Sequence, residues 1–350
     1  MKEAFVSRPE GRDVTVEIRD VPIPTPEPSQ LVIRVVATGL NPKDWKFLGP
    51  DSASNQGDDV AGYVHAVGED VTEFKPGDRV AGLHHLGTPH GGYAEYAVVM
   101  ARTAFHLPRK VSFEEAATIP LAAMTAALGL YLDLNLPVPW NPARVPTPLI
   151  VYGGGSTVGS FVIKLALLSN IHPIIAIAGQ AIPSVEKLLD SSRGDAVVDY
   201  RTGNDAVVSS ISKALDGKKA QYAFDAISEH DSYHNVSRVL DTECGKMVVI
   251  LPQEYDLQVK LKHPPMIVHV GAVCADKNIF RPGEVKVGQL GSNEFGAVFF
   301  RFFGRGLAEG WFSGHNYKLI DGGFSGLAAA LNKMRNGQVS GFKYVLKVSS

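Results

Sequence analysis

This sequence has few cysteines and no excess of either positive or negative charge. Its two cysteines, Cys244 and Cys274, are too few for a disulfide framework, and they favour a reducing compartment. The 34 Lys and Arg residues nearly balance the 36 Asp and Glu residues, which gives a formal net charge of −2. Nucleic-acid-binding and membrane-surface proteins usually carry a basic face, so the sequence predicts neither a nucleic acid nor a membrane as a partner.

Long hydrophobic runs are lacking as well, and the pattern of the first residues predicts no secretory leader. The first residues carry charges where a signal peptide needs an apolar core. The longest apolar run, residues 116–132, is broken by Pro120 and Gly129, which predicts buried helices rather than a membrane span. We therefore expect a cytoplasmic protein, and the length of 350 residues predicts two domains.

The two ends of the chain have the pattern of a β-rich module. Short β-type runs, such as residues 31–37, 62–67 and 93–99, are separated by turn signals that contain proline and glycine. The last run of the chain, residues 343–348, is again β-type. These two ends therefore predict one β-rich domain.

Between the two ends, strand-like and helical patterns alternate. Residues 149–152 and 174–178 are strand-like, and the helical pattern of residues 158–168 lies between them. Such alternation predicts βαβ units and a parallel, doubly wound sheet. The expected organisation is an α/β protein with a β-rich domain in residues 1–125 and 276–350 and a doubly wound domain in residues 126–275.

A glycine-rich turn is the sharpest chemical feature of the sequence. Residues 151–160 read Val-Tyr-Gly-Gly-Gly-Ser-Thr-Val-Gly-Ser, and they follow a predicted strand and open a predicted helix. Glycines allow a tight turn there, and the helix N-terminus offers N–H groups to a pyrophosphate. The Ser156 and Thr157 hydroxyls add donors, although Thr157 stands where a glycine is common. The pattern predicts a dinucleotide site, and a glycine-rich turn without a ligand stays open as the alternative.

The end of the next strand bears on the choice of dinucleotide. An NAD site usually has an Asp or Glu there, which binds the ribose hydroxyls. This chain has Gly179, Gln180 and Ala181 instead, so no carboxylate repels a 2′-phosphate and NADP is permitted. No Arg or Lys follows directly, so the phosphate contact would come from the main chain, from Gln180 or from Lys187.

Several motifs together resemble those of a known family. They are Asn-Pro-Lys-Asp-Trp-Lys at residues 41–46, Gly-Asp-Asp-Val-Ala-Gly at 57–62, Phe-Lys-Pro-Gly-Asp-Arg-Val at 74–80, the glycine-rich turn, and Gly-Gln-Val-Ser-Gly-Phe-Lys at 337–343. With them, essentially the whole chain resembles the zinc-free medium-chain dehydrogenase/reductases of the quinone oxidoreductase-like branch. It looks closest to the fungal trans-acting enoyl reductases, which serve polyketide synthases.

The resemblance implies a GroES-like catalytic domain, a Rossmann domain, and NADPH in the cleft between them. For Trp45, Val158 and Leu251 core packing stays open as the alternative to a cofactor contact, and for Tyr200 packing at the end of a strand. The positions that the resemblance assigns to the cofactor are Lys43, Asp44, Trp45 and Lys46 on the nicotinamide side; Ser156, Thr157, Val158 and Gly159 at the pyrophosphate; Gly179, Gln180, Ala181 and Tyr200 at the adenosine end; and Ile250, Leu251, Val339 and Ser340 over the nicotinamide half.

The resemblance also implies a substrate border and catalytic candidates. Some enoyl reductases of this superfamily use a tyrosine just after the Asn-Pro segment, but residues 47–50 contain none. We take Lys46 and Thr125 as the catalytic candidates, with water as the fallback proton donor, and a solvated surface lysine is the alternative for Lys46. The substrate positions are Ala126, Ala127, Leu128, Gly129, Leu130, Tyr131, Leu132 and Asp133, together with Gly271, Ala272, Val273, Cys274 and Ala275.

Metal ligands are lacking at the positions where zinc-dependent relatives have them. Residues 41–44 replace the first cysteine ligand, and Asp58 and Asp59 stand at the expected histidine. The histidines of the Gly- and Pro-rich segment 84–90 include an adjacent pair, whose side chains would face opposite ways in an extended chain. We interpret them as loop residues and expect no metal. Without a Lewis acid, hydride addition suits a conjugated double bond.

Three functions fit these patterns. The first is a trans-acting, NADPH-dependent enoyl reductase for α,β-unsaturated acyl groups, with a polyketide synthase as a partner. The second is a stand-alone quinone or enal/aldehyde reductase, which the same motifs would serve. The third is a nucleotide-binding protein without catalysis. The sequence leaves open whether the protein is a monomer or a homodimer.

Overall fold

The computed structural model describes residues 1–49, 52–275 and 291–349. The chain divides into two compact units. We call Met1–Met124 with Gly271–Ser350 the discontinuous unit, and Thr125–Val270 the continuous unit. Residue 276, where the sequence predicts the return to the first domain, lies outside the described residues.

The described elements follow one another as strands and helices of very different length. The strands are β1 Lys2–Ser7, β2 Thr15–Asp20, β3 Gln30–Gly39, β4 Asp59–Val67, β5 Arg79–Leu83, β6 Tyr96–Met100, β7 Ala104–His106, β8 Leu149–Tyr152, β9 Ile174–Ala178, β10 Ala196–Asp199, β11 Tyr222–Asp225, β12 Lys246–Val249, β13 Met266–Ile267, β14 Tyr317–Leu319 and β15 Lys343–Lys347. The helices are α1 Lys43–Lys46, α2 Phe113–Ala116, α3 Pro120–Ala127, α4 Thr157–Leu168, α5 Ile182–Glu186, α6 Asn204–Ala214, α7 Ser232–Val239, α8 Ser292–Glu309 and α9 Leu327–Arg335.

The discontinuous unit is β-rich, as the sequence predicts. Its main sheet has the strand order β14-β15-β3-β4-β5-β7, with β6 also paired to β3, while β1 and β2 pair separately. The pairs are antiparallel except β14 with β15. Leu31, Ile33 and Val35 of β3 are fully buried in a core cluster, so the longest strand is also the centre of the sheet.

The continuous unit contains a six-stranded parallel sheet in the order β10-β9-β8-β11-β12-β13. Counted within the unit this is the order 3-2-1-4-5-6, which defines a doubly wound Rossmann-type sheet. All residues of β8 and β9 are buried, as expected for parallel strands covered on both faces. The strand order reverses between β8 and β11, and ligands of open α/β sheets bind at the carboxyl ends of the strands at that point.

The apolar run between the two units is helical and buried. The helix α2 begins after Ser112, whose side chain accepts a hydrogen bond from Glu115 N at 3.0 Å. The stretch Phe113–Asp133 is the one helical stretch among the described residues that is long and apolar enough to cross a membrane, and 89% of its most apolar window is buried inside the protein. That burial is typical of a core helix.

Candidate active site

The glycine-rich turn lies at the carboxyl end of β8, where the strand order reverses. The N–H groups of Gly153 and Gly154 both donate to Ile177 O at 2.9 Å, which fixes the turn to β9. Gly153 has φ +79°, and a Cβ on Gly159 would come within 2.1 Å of Gly153 O. The turn therefore requires glycine at these two positions.

The first turn of α4 brings together the four residues predicted to bind the pyrophosphate. Ser156 is the N-cap, and its Oγ accepts a hydrogen bond from Gly159 N at 3.0 Å. Thr157 and Val158 begin the helix, so their N–H groups have no helical carbonyl to pair with. No acidic residue lies in this turn. The donor set fits an anionic group, because unpaired N–H groups and the helix dipole both favour negative charge.

The carboxyl end of β9 lies beside this turn. Gly179 is covered by the Tyr200 ring, which a Cβ at 179 would approach to 2.5 Å, and Tyr200 is 49% exposed. Gln180 is exposed, while Ala181 is buried and packs against Gly155. The predicted adenosine-end residues are therefore close to the glycine-rich turn, and their binding role stays a prediction.

Arg201, the basic residue next to Tyr200, has no role among the sequence-based predictions. The Arg201 guanidinium donates to the Asp199 carboxylate, with a shortest distance of 2.6 Å, and both side chains are partly exposed. The hydrogen bonds from Arg201 hold the pKa of Asp199 at about 2. The sequence offered the signal, because Asp199 and Arg201 are two residues apart at the end of β10.

The carboxyl end of β12 carries Ile250 and Leu251, both half-buried. Ile250 N donates to Ser228 Oγ at 2.9 Å, and Tyr255 Oη donates to Leu251 O at 2.7 Å. Ser228 is itself fully buried in the turn that follows β11. Side chains from two turns thus hold the backbone of the predicted nicotinamide-side residues.

Asp225, the last residue of β11, is a fully buried acid that the sequence analysis missed. Its Oδ1 accepts from Ile227 N and Ser228 N, each at 2.9 Å, and its Oδ2 accepts from Ser232 Oγ at 2.5 Å. Burial raises the pKa of Asp225 to about 6, because these hydrogen bonds only partly offset the loss of water.

In the discontinuous unit, helix α1 carries the residues predicted to lie on the nicotinamide side of the cofactor. Ion pairs of Lys43 with two carboxylates stabilise this helix. The Lys43 ammonium lies 2.5 Å from Asp58 Oδ2 and 3.0 Å from Asp44 Oδ1, and it donates to Gln56 O at 2.8 Å. Asp44 is fully buried and also accepts from Tyr93 Oη at 2.5 Å. The side chains of Lys43 and Asp44 thus stabilise the local fold, and their contact with a cofactor stays a prediction.

Burial and charge set the pKa values of this group in opposite directions. Burial raises the pKa of Asp44 to about 6, opposed by Lys43 and reinforced by Asp58. Burial acts to lower the pKa of Lys43, but the carboxylates of Asp58 and Asp44 outweigh it and hold that pKa above its ordinary value. Lys43 therefore keeps its proton across the physiological range.

A second buried ion pair lies beside the first. Lys343 Nζ is 2.5 Å from Asp59 Oδ2, and the two side chains are 2% and 0% exposed. Asn41 Nδ2 donates to Asp59 at 2.7 Å, and Lys343 donates to Asn41 Oδ1 at 2.8 Å. Leu121 N donates to Asp59 Oδ1 at 2.7 Å. We refer to Asn41, Lys43, Asp44, Asp58, Asp59, Tyr93 and Lys343 as the buried charge cluster.

The two catalytic candidates belong to different units. Lys46 is half-buried at the end of α1, with its Nζ 5.2 Å from the centre of the Trp45 ring. Trp45 packs against the core cluster that contains Leu40 and Leu48. Thr125 lies in α3 and is 5% exposed. Their catalytic roles stay predictions.

The remaining cofactor positions precede β15. Val339 is half-buried and Ser340 is exposed, in the segment between α9 and β15. Ser340 is thus accessible to a ligand, and both assignments stay predictions.

The first substrate segment, residues 126–133, is buried except for Leu132. A Cβ on Gly129 would come within 2.3 Å of the Phe224 ring, so the segment packs against β11. Tyr131 Oη donates to Leu165 O at 2.9 Å. Core packing accounts for these side chains within the continuous unit, and the predicted contact with substrate rests on the resemblance.

The second substrate segment, residues 271–275, is held by an arginine of the same unit. Arg102 Nη2 donates to Cys274 O at 2.7 Å and to Ala275 O at 3.0 Å. Cys274 is fully buried, and burial raises the pKa of its thiol to about 12. The thiol is therefore not a nucleophile at neutral pH.

The histidines of segment 84–90 are not gathered at a common point. His84 is buried, with its Nδ1 2.6 Å from Val98 O, and His90 Nδ1 lies 3.5 Å from Glu3 Oε2. Across residues 1–49, 52–275 and 291–349, no group of three or more His, Cys, Asp or Glu side chains could hold a metal ion.

Comparisons with known proteins give one family match, two relatives and one solved structure. The family model of the alcohol dehydrogenase GroES-like domain matches residues 27–109. The chain is 43% identical over 331 residues to trans-enoyl reductase fsr4 of Gibberella fujikuroi, covering 93% of this chain and 92% of that protein. It is 28% identical to lovC of Aspergillus terreus, named as the enoyl reductase component of lovastatin nonaketide synthase, over 99% and 98% of the two chains. An alcohol dehydrogenase superfamily protein from Novosphingobium aromaticivorans has the same fold, with a TM-score of 0.79, 20% identity and full coverage of both chains.

Proposed function

The chain belongs to the trans-enoyl reductases of the medium-chain dehydrogenase/reductase family, and from that premise we propose that it reduces α,β-unsaturated acyl groups with NADPH and without zinc. The observation that carries the cofactor side is the first turn of α4, where unpaired N–H groups meet no acidic side chain. The acyl substrate is proposed from the relatives, whose names describe enoyl reduction.

The proposal of NADPH rather than NADH is supported by the end of β9. An acid there would bind the ribose hydroxyls and repel a 2′-phosphate, but this chain has Gly179, Gln180 and Ala181. The exposed Gln180 and Lys187 and the Tyr200 hydroxyl are available as polar contacts. We expect the main chain of Thr157 and Val158 to hold the pyrophosphate.

The proposed chemistry divides the work between the cofactor and the protein. NADPH, when bound, supplies the hydride for the β-carbon, and a proton must reach the α-carbon. Lys43 on α1 is ion-paired with Asp58 and Asp44. We propose the electrostatic role at the substrate carbonyl for Lys46, the position on α1 that the resemblance indicates. Thr125 or water would deliver the proton.

Zinc independence is supported by the residues at the expected ligand positions. Asp58 and Asp59 are ion-paired with Lys43 and Lys343, and an ammonium group beside each carboxylate disfavours a cation there. We propose that the protein acts in the cytoplasm, as a monomer or a homodimer, on acyl chains presented by a polyketide synthase.

The test is an assay of NADPH oxidation by its near-ultraviolet absorbance. An acyl-thioester enone and a free quinone are offered in parallel, with NADH as the cofactor control. We expect oxidation with the thioester, and faster with NADPH than with NADH. A Gly159→Ala variant should lose cofactor binding, because the added Cβ would meet Gly153 O.

The other outcomes choose among the alternatives. Oxidation with the quinone alone would identify a stand-alone quinone reductase. Tight NADPH binding without turnover of either substrate would identify a nucleotide-binding protein. Equal rates with NADH would overturn the cofactor assignment and leave the reaction assignment standing.

A further inference from the structure

The turn after β11 has an unusual backbone. Ser228, His230 and Asp231 have φ values of +60°, +53° and +64°, and no glycine relieves the strain between residues 226 and 231. Left-handed conformations at non-glycine residues persist where the surroundings hold them, and they concentrate at ligand sites. The contacts of this turn show what holds it.

Ser228 joins two neighbouring turns of the sheet. Its Oγ donates to Asp225 O at 3.1 Å and accepts from Ile250 N at 2.9 Å. Its own carbonyl accepts from Gln253 Nε2 at 2.7 Å. The turn after β11 is therefore fastened to the turn after β12 through one buried serine.

Asp225 in turn holds Ser228 in its left-handed conformation. The carboxylate accepts the N–H groups of Ile227 and Ser228 and the hydroxyl of Ser232, which closes the turn on itself. Among the described residues Asp225 has no lysine or arginine in an ion pair. Its contacts are therefore directional hydrogen bonds, which fix geometry more tightly than a charge pair does.

The same turn also touches the glycine-rich turn. A Cβ on Gly153 would come within 2.5 Å of the Ile227 side chain. Because β11 lies between β8 and β12, the residues that follow these three strands share one edge of the sheet. This edge includes the point where the strand order reverses.

We infer that Asp225 and Ser228 are positioning residues for the dinucleotide, which they serve by fixing the backbone at Ile250 and the packing over Gly153. The inference rests on the proposed function, since it takes the edge of this sheet to be the cofactor site. Neither side chain needs to touch the cofactor. Asp225 acts through Ser228, and Ser228 acts through the Ile250 N–H group.

Four variants test the inference. Ser228→Ala and Ser228→Gly both remove the hydroxyl, but glycine also removes the strain of the left-handed backbone. Asp225→Ala removes all the acceptors. Asp225→Asn can keep all three contacts, because its amide oxygen accepts the two N–H groups while its NH₂ donates to Ser232 Oγ, which reverses that hydrogen bond.

The readouts are the dissociation constant and KM for NADPH, the kcat, and the melting temperature. We expect both Ser228 variants to raise the dissociation constant and the KM for NADPH about three- to tenfold, as for loss of one hydrogen bond. The change in kcat should be smaller. Asp225→Ala should raise both NADPH constants more than about tenfold, and Asp225→Asn should return them to within about twofold of the wild type. The matched control is Ser237→Ala, which removes a buried hydroxyl bonded to His234 O in the same unit.

The outcomes separate the inference from the function on which it rests. Wild-type protein that does not bind NADPH would overturn the proposed function. Wild-type binding with unchanged constants in Ser228→Gly and Asp225→Ala would overturn the inference alone. A normal Ser228→Gly with an impaired Ser228→Ala would also overturn it, because backbone strain rather than the hydroxyl would then be responsible.

Discussion

The two units bury carboxylates in different ways. In the discontinuous unit, Asp59 is paired with the ammonium of Lys343, and Asp58 with that of Lys43. In the continuous unit, Asp225 is surrounded by two N–H groups and one hydroxyl. All three acids are buried to 1% exposure or less. The same desolvation is thus offset by ion pairs in one unit, with neutral donors added at Asp59, and by neutral donors alone in the other.

The buried carboxylates of the two units also differ in how far along the chain their donors lie. Asp59 and Lys343 are 284 residues apart, whereas every donor to Asp225 comes from within seven residues. The ion pair therefore joins β4 to β15 and closes the discontinuous unit. The neutral donors shape a single turn. The Asp59–Lys343 ion pair thus joins distant segments, whereas the neutral network around Asp225 sets local geometry.

The largest difference between the units should come from the same substitution made in both. Asp59→Asn should lower the free energy of unfolding by about 3–5 kcal/mol at neutral pH, because Lys343 becomes a buried, unpaired charge. Whichever way the new amide is turned, its NH₂ faces a donor, either Leu121 N or Lys343 Nζ. Asp225→Asn should leave the free energy of unfolding unchanged or raise it. Urea unfolding measures both.

A double variant separates charge from shape in the ion pair. In Asp59→Asn/Lys343→Met neither charge remains. The free energy of unfolding should therefore fall less than in Asp59→Asn alone. If the two single substitutions and the double one cost the same, unpaired charge is not the cause. Equal losses for Asp59→Asn and Asp225→Asn would remove the distinction between the units.

The stability of the protein should also depend on pH through Asp225. Burial raises the pKa of Asp225 to about 6, above its value of 3.8 in an unfolded chain, so the unfolded state ionises first as pH rises. The contribution of the protonated Asp225 to the free energy of unfolding is fully present below pH 3.8 and is lost as pH rises through 6. At neutral pH the loss is at most about 3 kcal/mol, from 1.36 kcal/mol for each pKa unit.

The wild type compared with Asp225→Asn isolates that contribution. The free energy of unfolding of the variant should increase relative to that of the wild type as pH rises from 4 to 7, because the neutral amide of the variant does not titrate. Urea midpoints at several pH values measure the difference, in which the other carboxyl groups cancel. Parallel curves for the two proteins would contradict the raised pKa of Asp225.

Loss of a single hydroxyl should have a smaller effect, and a different one in each unit. Ser232→Ala removes one of three donors to Asp225 and should cost about 1.5–3 kcal/mol, as for a hydrogen bond to a charged group. Tyr93→Phe removes a donor to Asp44, which keeps Lys43 and Asn41 N as partners, so we expect about 1 kcal/mol. Thermal unfolding ranks the two, and the reverse order would contradict the comparison.

The smallest effect belongs to an exposed ion pair of the discontinuous unit. Lys2 and Asp20 lie 3.2 Å apart with side chains 55% and 80% exposed. Lys2→Met should change the free energy of unfolding by less than about 1 kcal/mol, because water screens the pair. A loss as large as that of Asp59→Asn would show that burial does not govern these pairs.

The sequence predicts those parts of the fold whose signals are local. The strands β8 and β9 have the predicted bounds, because short apolar runs between turn signals are typical of strands buried on both faces. The sequence does not predict helix α8. Its Phe295, Phe299 and Phe303 recur every four residues, but glycines such as Gly296 and Gly304 obscure the helical pattern.

The same contrast holds for the candidate site. The glycine-rich turn is predictable because ten consecutive residues carry it. The buried charge cluster is not, because a charged residue such as Lys343 in a β-type run shows that a partner must exist but not that it is Asp59. Asp225 gave a weaker local signal, an acid that ends an apolar strand with Ser228 three residues on.

The separation of Asp59 from Lys343 has a consequence for the newly made protein. A ribosome that adds 5–20 residues each second needs about a quarter of a minute to a minute to travel the 284 residues between them. During that interval Asp59 lacks its partner Lys343, whereas the donors to Asp225 leave the ribosome together with it. The continuous unit can therefore mature while the chain is still growing, and the discontinuous unit has to wait for its last strand.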